Sequence, residues 1–235
     1  MLFRSIITTF GWYEEGMREQ LEEIAPVVEF MPSVAVQEWE PGIDFLGELF
    51  NMQAEADMII NNYEARLAVL QEALGDSLDG QTISVVRPME NDELGMRLAG
   101  SFTGLIITDL GVSLPEAHSM MSDPDTGAIQ TNVGKEQWPL IDADYVFFYG
   151  ITSDPANPAD PSSDLERLAD DPIWNTISAV QNDRVIPVGA HWHGFNVFSA
   201  HAVIDDMYAY FTDEEHPLPN PYVTGEANFD LMLGE

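Results

Sequence analysis

The chain has 235 residues, 45% hydrophobic and 10% aromatic, enough to bury the core of one large or two small domains and unlike a disordered composition. Eight Lys and Arg stand against 41 Asp and Glu, a formal net charge of −33, which argues against nucleic acid and anionic lipid as partners. There is no cysteine, which excludes disulfides, thiolate metal sites and cysteine nucleophiles, and no apolar run long enough to read as a membrane span.

In chain order, the opening MLFRSIITTF lacks the apolar region and small-residue cleavage site of a signal peptide. The β-branched run Ser5–Thr9 predicts a strand, and Val27–Met31 a second. Between them Met17, Leu21 and Ile24 fall at helical spacing, predicting a helix from Gly11 to Glu23. Pro32 to Pro41 reads as a connector, with Pro41 at a first helical position. From Gly42 to Gly75 there is no proline, and Leu46, Leu49, Phe50, Tyr63, Leu67, Leu70 and Leu74 recur at three- and four-residue steps. That pattern predicts one unbroken helix, on the order of 50 Å long and closed by Gly75. Such a length suits a strut along two lobes.

Beyond it, strands are expected at Thr82–Arg87, Tyr145–Tyr149 and Arg184–Val188. Helices are expected at Ser101–Leu110, Leu165–Ala169, Pro172–Ala179 and Phe198–Phe211, with Thr152–Ser163 a loop and an irregular tail from Thr212. The alternation predicts an α/β class with a mostly parallel sheet covered on both faces. Two strands and one helix before residue 40 cannot close a core, so the chain reads as beginning inside a domain.

Several segments in order carry a family resemblance: SIITT at Ser5–Thr9, LEEIAPVV from Leu21 to Val28, Ile83–Arg87 followed by Gly100-Ser101-Phe102 and Leu110-Gly111-Val112, KEQWPLIDADYVF from Lys135 to Phe147, and DPIWNTISAVQNDRV from Asp171 to Val185. The last is the most specific, with Asp183 where the family usually has glycine. This set, over Ser5 to Phe211, resembles the iron-siderophore and vitamin B12 class of periplasmic binding proteins. The resemblance implies a two-lobed class III periplasmic-binding-protein-like fold with a long interlobe helix and an incomplete first lobe. Residues 1–40 would be the remnant of that lobe, 41–76 the linking helix, and 77–235 the C-terminal α/β lobe with its tail. It implies the substrate-binding component of an ABC importer, capturing a ferric siderophore or similar metal chelate and delivering it to the permease membrane subunits. A monomer without cofactor is expected, periplasmic or extracellular, membrane-anchored as a lipoprotein in full-length form. Cobalamin or haem as ligand is the alternative within the fold. A metallocluster-enzyme-like α/β domain is the alternative outside it, and the lack of thiolates argues against that. No Walker A, G-x-G-x-x-G, G-x-S-x-G or H-E-x-x-H motif supports an enzyme.

A chelate site needs aromatic walls and cations beyond the C-terminal ends of the strands. Arg87 ends a predicted strand, with a surface ion pair as its alternative, and Arg97 follows in the next loop. Tyr149 ends another strand. Trp192 follows the last strand, where the family commonly has an aromatic, with core packing as its alternative. Trp12 and Tyr13 would face the crevice from the other lobe. His191 and His193 form an H-x-H pair that on a strand would share one face, and His193 is the better ligand-facing candidate. Glu136 matches the family glutamate that meets arginines on the permease.

Overall fold

The computed structural model describes residues 5–8, 16–30, 36–121, 128–150 and 161–222. The β-branched run at the start forms β1 (Ile6–Thr8), which pairs in parallel with β2 (Val27–Glu29) across α1 (Met17–Glu22). Phe30, just past β2, stacks on Phe45 with ring centroids 5.1 Å apart, so this small sheet leans on the helix that follows.

The stretch expected to be one rod is two helices. The first, α2 (Glu40–Phe50), ends at Asn51, whose φ of 55° is left-handed, and α3 begins at Gln53 and runs to Leu74. The Met52 N–H closes back on the Gly47 carbonyl at 2.8 Å, a Schellman-type stop that the apolar spacing did not register. Asparagine tolerates this conformation because its short amide bonds locally, and Leu and Phe around the break keep their helical steps on either side. The rod is therefore α3 alone, 22 residues, or about 33 Å.

The larger sheet has five strands in the order β5-β4-β3-β6-β7. The three expected strands, β3 (Ile83–Pro88), β6 (Tyr145–Tyr149) and β7 (Val185–Val188), run parallel. Two unforeseen strands, β4 (Leu94–Arg97) and β5 (Gln130–Val133), add on antiparallel, so the sheet is mixed. Both are four residues long and interrupted by glycine or polar residues, too short to show a period. Arg97 accordingly ends a strand and does not lie in a loop.

Both faces of the sheet are covered. Ile83, Val85 and Phe147 face α3, α4 (Phe102–Asp109) and α8 (Val197–Thr212), where Leu70, Ile107, Val203 and Met207 close the layer. Val86, Val146 and Phe148 face the opposite layer of Trp138, Ile141, Leu168 and Trp174. The remaining short helices, α5 (Glu116–Met121), α6 (Pro161–Ala169) and α7 (Ser178–Gln181), lie in the crossovers. Past α8 the chain to Tyr222 is irregular but fastened. Arg66 Nε donates to the Leu218 carbonyl at 3.2 Å, and Asn220 Nδ2 to Asp205 at 2.7 Å.

Asp183 has φ 55°, in the left-handed region that glycine enters without a Cβ clash. Asp183→Gly is therefore expected to raise unfolding stability by about 0.5 kcal/mol and Asp183→Val to lower it by about 1 kcal/mol or more. Urea midpoints of the two variants read the difference.

Candidate functional site

Four of the residues singled out from the sequence meet at the C-terminal ends of β3 and β6. Register explains why. Val85 is paired with Phe147, so Arg87 and Tyr149, two residues on, share that face, with Tyr149 still fully buried at the edge of the core. Arg87 lies opposite Gly95 of β4, and Arg97, two residues further, points the same way. Gly95 leaves the space the arginine stem occupies: a Cβ there would lie 3.2 Å from Arg87 Cγ and 2.9 Å from Gln130 Nε2.

Arg97 is the centre of the group and is only 4% exposed. Its Nε donates to the Tyr149 hydroxyl at 2.7 Å, and its Nη2 donates to His193 Nδ1. Because a guanidinium only donates, Nδ1 of His193 is the acceptor and its proton sits on Nε2. Arg87 Nε donates to Gln130 Oε1 at 3.2 Å. Burial lowers the Arg87 guanidinium from its ordinary value, and the charge of Arg97 lowers it further. No carboxylate pairs with either arginine among the described residues, in a chain with 41 of them. Two neighbouring cations without a carboxylate partner, one almost fully buried, with a phenol and an imidazole beside them, are groups whose chemistry suits an anion.

His193 is lowered to about 4 by burial and then by the charges of Arg97 and Arg87. Behind the site, His118 Nδ1 donates to the Arg97 carbonyl at 2.8 Å, and burial lowers His118 to about 4 as well. Both imidazoles are thus neutral in the native protein down to about pH 4. Below pH 6.5 the unfolded chain takes up protons that the native protein refuses. These histidines therefore cost no stability above pH 6.5 and erode it progressively as pH falls from 6.5 towards 4. In an NMR titration, the His118 and His193 ring resonances are expected to stay in the neutral position from pH 8 to 5. A midpoint near 6.5 for either would contradict the geometry.

Trp192 takes the core-packing alternative. It is 1% exposed, stacks on Phe147 with centroids 4.4 Å apart, and donates its indole N–H to Asp206 at 2.8 Å. It supports the site from beneath and does not wall it. The His191–His193 segment is a 3-10 turn and not a strand, so the two rings diverge. His191 Nε2 meets the same Asp206 at 2.7 Å, while His193 turns to Arg97. Among the described residues no group of His, Asp and Glu is arranged to hold a metal. Glu136 is exposed on a 3-10 turn, Lys135–Ile141, remote in sequence from the arginines and without contact to them. Trp12 and Tyr13 lie outside the described residues. Gln130 and Asp206 were not foreseen. Gln130 reaches the site only through the unpredicted pairing of β4 with β5, and Asp206 through the packing of α8 on the 189–194 turn. Neither carries a sequence signal of its own.

Residues 5–191 match the family model described as "Periplasmic binding protein". The achromobactin-binding periplasmic protein of Dickeya dadantii is 27% identical over 192 residues, covering 80% of this chain and 59% of that protein. The chain thus spans less than two thirds of the length of that relative. Among solved structures, SirA of Staphylococcus aureus has a TM-score of 0.72 at 22% identity, over 90% of this chain and 77% of that one. FeuA of Bacillus subtilis, complexed with ferri-bacillibactin, has a TM-score of 0.67 at 19% identity, over 89% and 71%. SirA complexed with staphyloferrin B has a TM-score of 0.69 at 23% identity, over 87% and 70%. At these identities the structures share a fold with this chain.

Proposed function

The chain belongs to the periplasmic binding protein family, and from that premise we propose that it is the substrate-binding component of an ABC importer whose ligand is an anionic ferric chelate of the siderophore type. The observation that carries this reading is the pair Arg87 and Arg97, held side by side without a carboxylate partner among the described residues. Two like charges are costly together, and a ligand that brings compensating negative charge recovers that cost on binding. Tyr149 and His193 add a phenol and a neutral imidazole that can bond a chelate's oxygens. The relatives point the same way: one is named for binding achromobactin, and others are complexed with staphyloferrin B and ferri-bacillibactin.

On this reading residues 1–40 belong to a first lobe, 41–76 link the lobes, and 77–235 form the second lobe, whose strand ends wall the crevice. The place of action is the periplasm or cell exterior, and the partners are the permease subunits. The protein binds and hands over and does no chemistry on its cargo. Glu136, exposed on its turn, is the docking contact. Glu136→Ala is expected to leave chelate affinity unchanged and to lower uptake in cells, and normal uptake would remove it from the interface.

The test is a fluorescence-quenching titration of the purified chain with ferric staphyloferrin B, ferri-bacillibactin, cobalamin and haem. Saturable binding of a ferric chelate, weakened by substitutions at Arg97, supports the reading. Saturation by cobalamin or haem alone would replace it.

A further inference from the structure

A second concavity shares no residue with the arginine cluster. It is a cleft of about 300 Å³ between the connector into α2, the middle of α3 and the length of α4. Trp39, Tyr63 and Phe102 form aromatic walls, and Glu38, Glu40 and Asp109 supply three carboxylates. Trp39 and Tyr63 meet edge to face at 5.1 Å, so the aromatic corner is fixed.

Three features of this cleft are unexplained by folding alone. None of the three acids has a basic partner among the described residues, and Glu40 accepts from backbone N–H groups alone, its own and that of Trp39 at 3.1 Å. Glu40 and Asp109 are held above the ordinary carboxylate range by burial, with the charge of Glu38 adding to both. Tyr63 is 97% buried, yet its hydroxyl has no hydrogen-bond partner among the described residues and lines the cleft. Burial raises this phenol, and the charges of Glu40 and Asp109 raise it further, so its oxygen sits in their field. The ring is buried while the oxygen opens into the cleft, and a hydroxyl without a protein partner beside unpaired carboxylates leaves room for a donor.

We propose that this cleft binds a small organic cation, an alkylammonium or alkyl diammonium ion. Its N–H donors go to the carboxylates and the Tyr63 oxygen, and its carbon body lies against Trp39 and Phe102. The carboxylates do not converge into a group able to hold a metal ion, so a bare divalent cation lacks its ligand shell here. An extended cation meets separated acids at different points along its length, and an aromatic face attracts an ammonium while sheltering its methylenes.

The experiment is calorimetric titration of the full chain with 1,5-diaminopentane, against sodium chloride of matched ionic strength and against magnesium chloride. One saturable site is expected for the diamine, with magnesium failing to displace it at equal concentration. The Glu40→Gln/Asp109→Asn double variant is expected to raise the Kd at least tenfold. Tyr63→Phe, which keeps the ring and its packing, is expected to raise it about threefold. Ferric-chelate binding at Arg97 should be unchanged in both variants, which separates this site from the other. Heats that follow ionic strength alone, displacement by magnesium, or an unaltered Kd in Tyr63→Phe and in a folded double variant would each overturn the proposal. They would leave only the diffuse counterion cloud of a highly acidic surface.

Discussion

Arg97→Gln is expected to weaken ferric-chelate binding at least a hundredfold while leaving the melting temperature of the unliganded chain within about 2 °C. Removing one member of a buried, hydrogen-bonded charge pair with a ligand costs about 3 kcal/mol or more, and every 1.4 kcal/mol is a factor of ten. The second half of the expectation separates a binding role from a structural one. Arg97 is 4% exposed and bonds Tyr149 and His193, so its loss removes two internal hydrogen bonds. It also removes a like-charge contact with Arg87, whose guanidinium is lowered first by burial and further by that contact. The glutamine amide can still donate to the phenol. These effects oppose each other in the free protein and act together against the bound anion. Quenching titrations paired with thermal melts read both quantities. A variant that loses many degrees of melting temperature but keeps its affinity would assign Arg97 to the core and end the anion-receptor reading.

Arg66 is expected to behave in the opposite way. It is fully buried on α3 and ties together two other pieces of chain, α8 and the tail that follows it. Nη1 donates to His201 Nδ1 at 2.9 Å, Nη2 pairs with Asp205, and Nε holds the Leu218 carbonyl at 3.2 Å. His201 therefore accepts at Nδ1 and is lowered to about 3, by burial and then by Arg66, so it stays neutral at any working pH. Arg66→Met keeps the bulk of the stem but leaves the Asp205 charge and three acceptors, His201 Nδ1 and the His201 and Leu218 carbonyls, without their donor. A broken buried pair of this kind costs about 3 kcal/mol or more, or a fall of about 10 °C in melting temperature. The tail bonded at Leu218 should become protease-sensitive before the core does. Ferric-chelate affinity at temperatures well below the melt should be unchanged. A melting temperature within 2 °C of the parent chain would show that the network contributes nothing net.

The strands that line up beside the site were legible because they are short, apolar and β-branched or aromatic. TISVVR, YVFFY and RVIPV could be read as buried parallel strands from composition alone. The positions of Arg87 and Tyr149 followed directly, because each stands at the carboxyl end of a strand that could be read this way. Ser101 and Asn196 cap α4 and α8 by accepting from Gly104 N at 3.1 Å and Ser199 N at 3.0 Å, local rules that place helix starts within a residue or two. The break at Asn51 was missed because apolar spacing continues across it. Only the backbone angle of one polar residue ends the helix. Trp192 was misjudged as a wall for a related reason. An aromatic after a strand can turn outward or inward, and Asp206, fourteen residues later, decides by drawing its indole N–H down onto α8.

By itself, then, the sequence determined the class of the sheet, the faces of its central strands and which side chains stand at their ends, since period and propensity are properties of neighbours in the chain. Tertiary structure decided that Arg97 joins Arg87, that Gln130 accepts from Arg87 while Asp206 holds Trp192 inward, and that no acid among the described residues comes to neutralise the pair. Those facts rest on contacts between segments up to a hundred residues apart, whose pairing is set by packing and register and leaves no trace in local pattern.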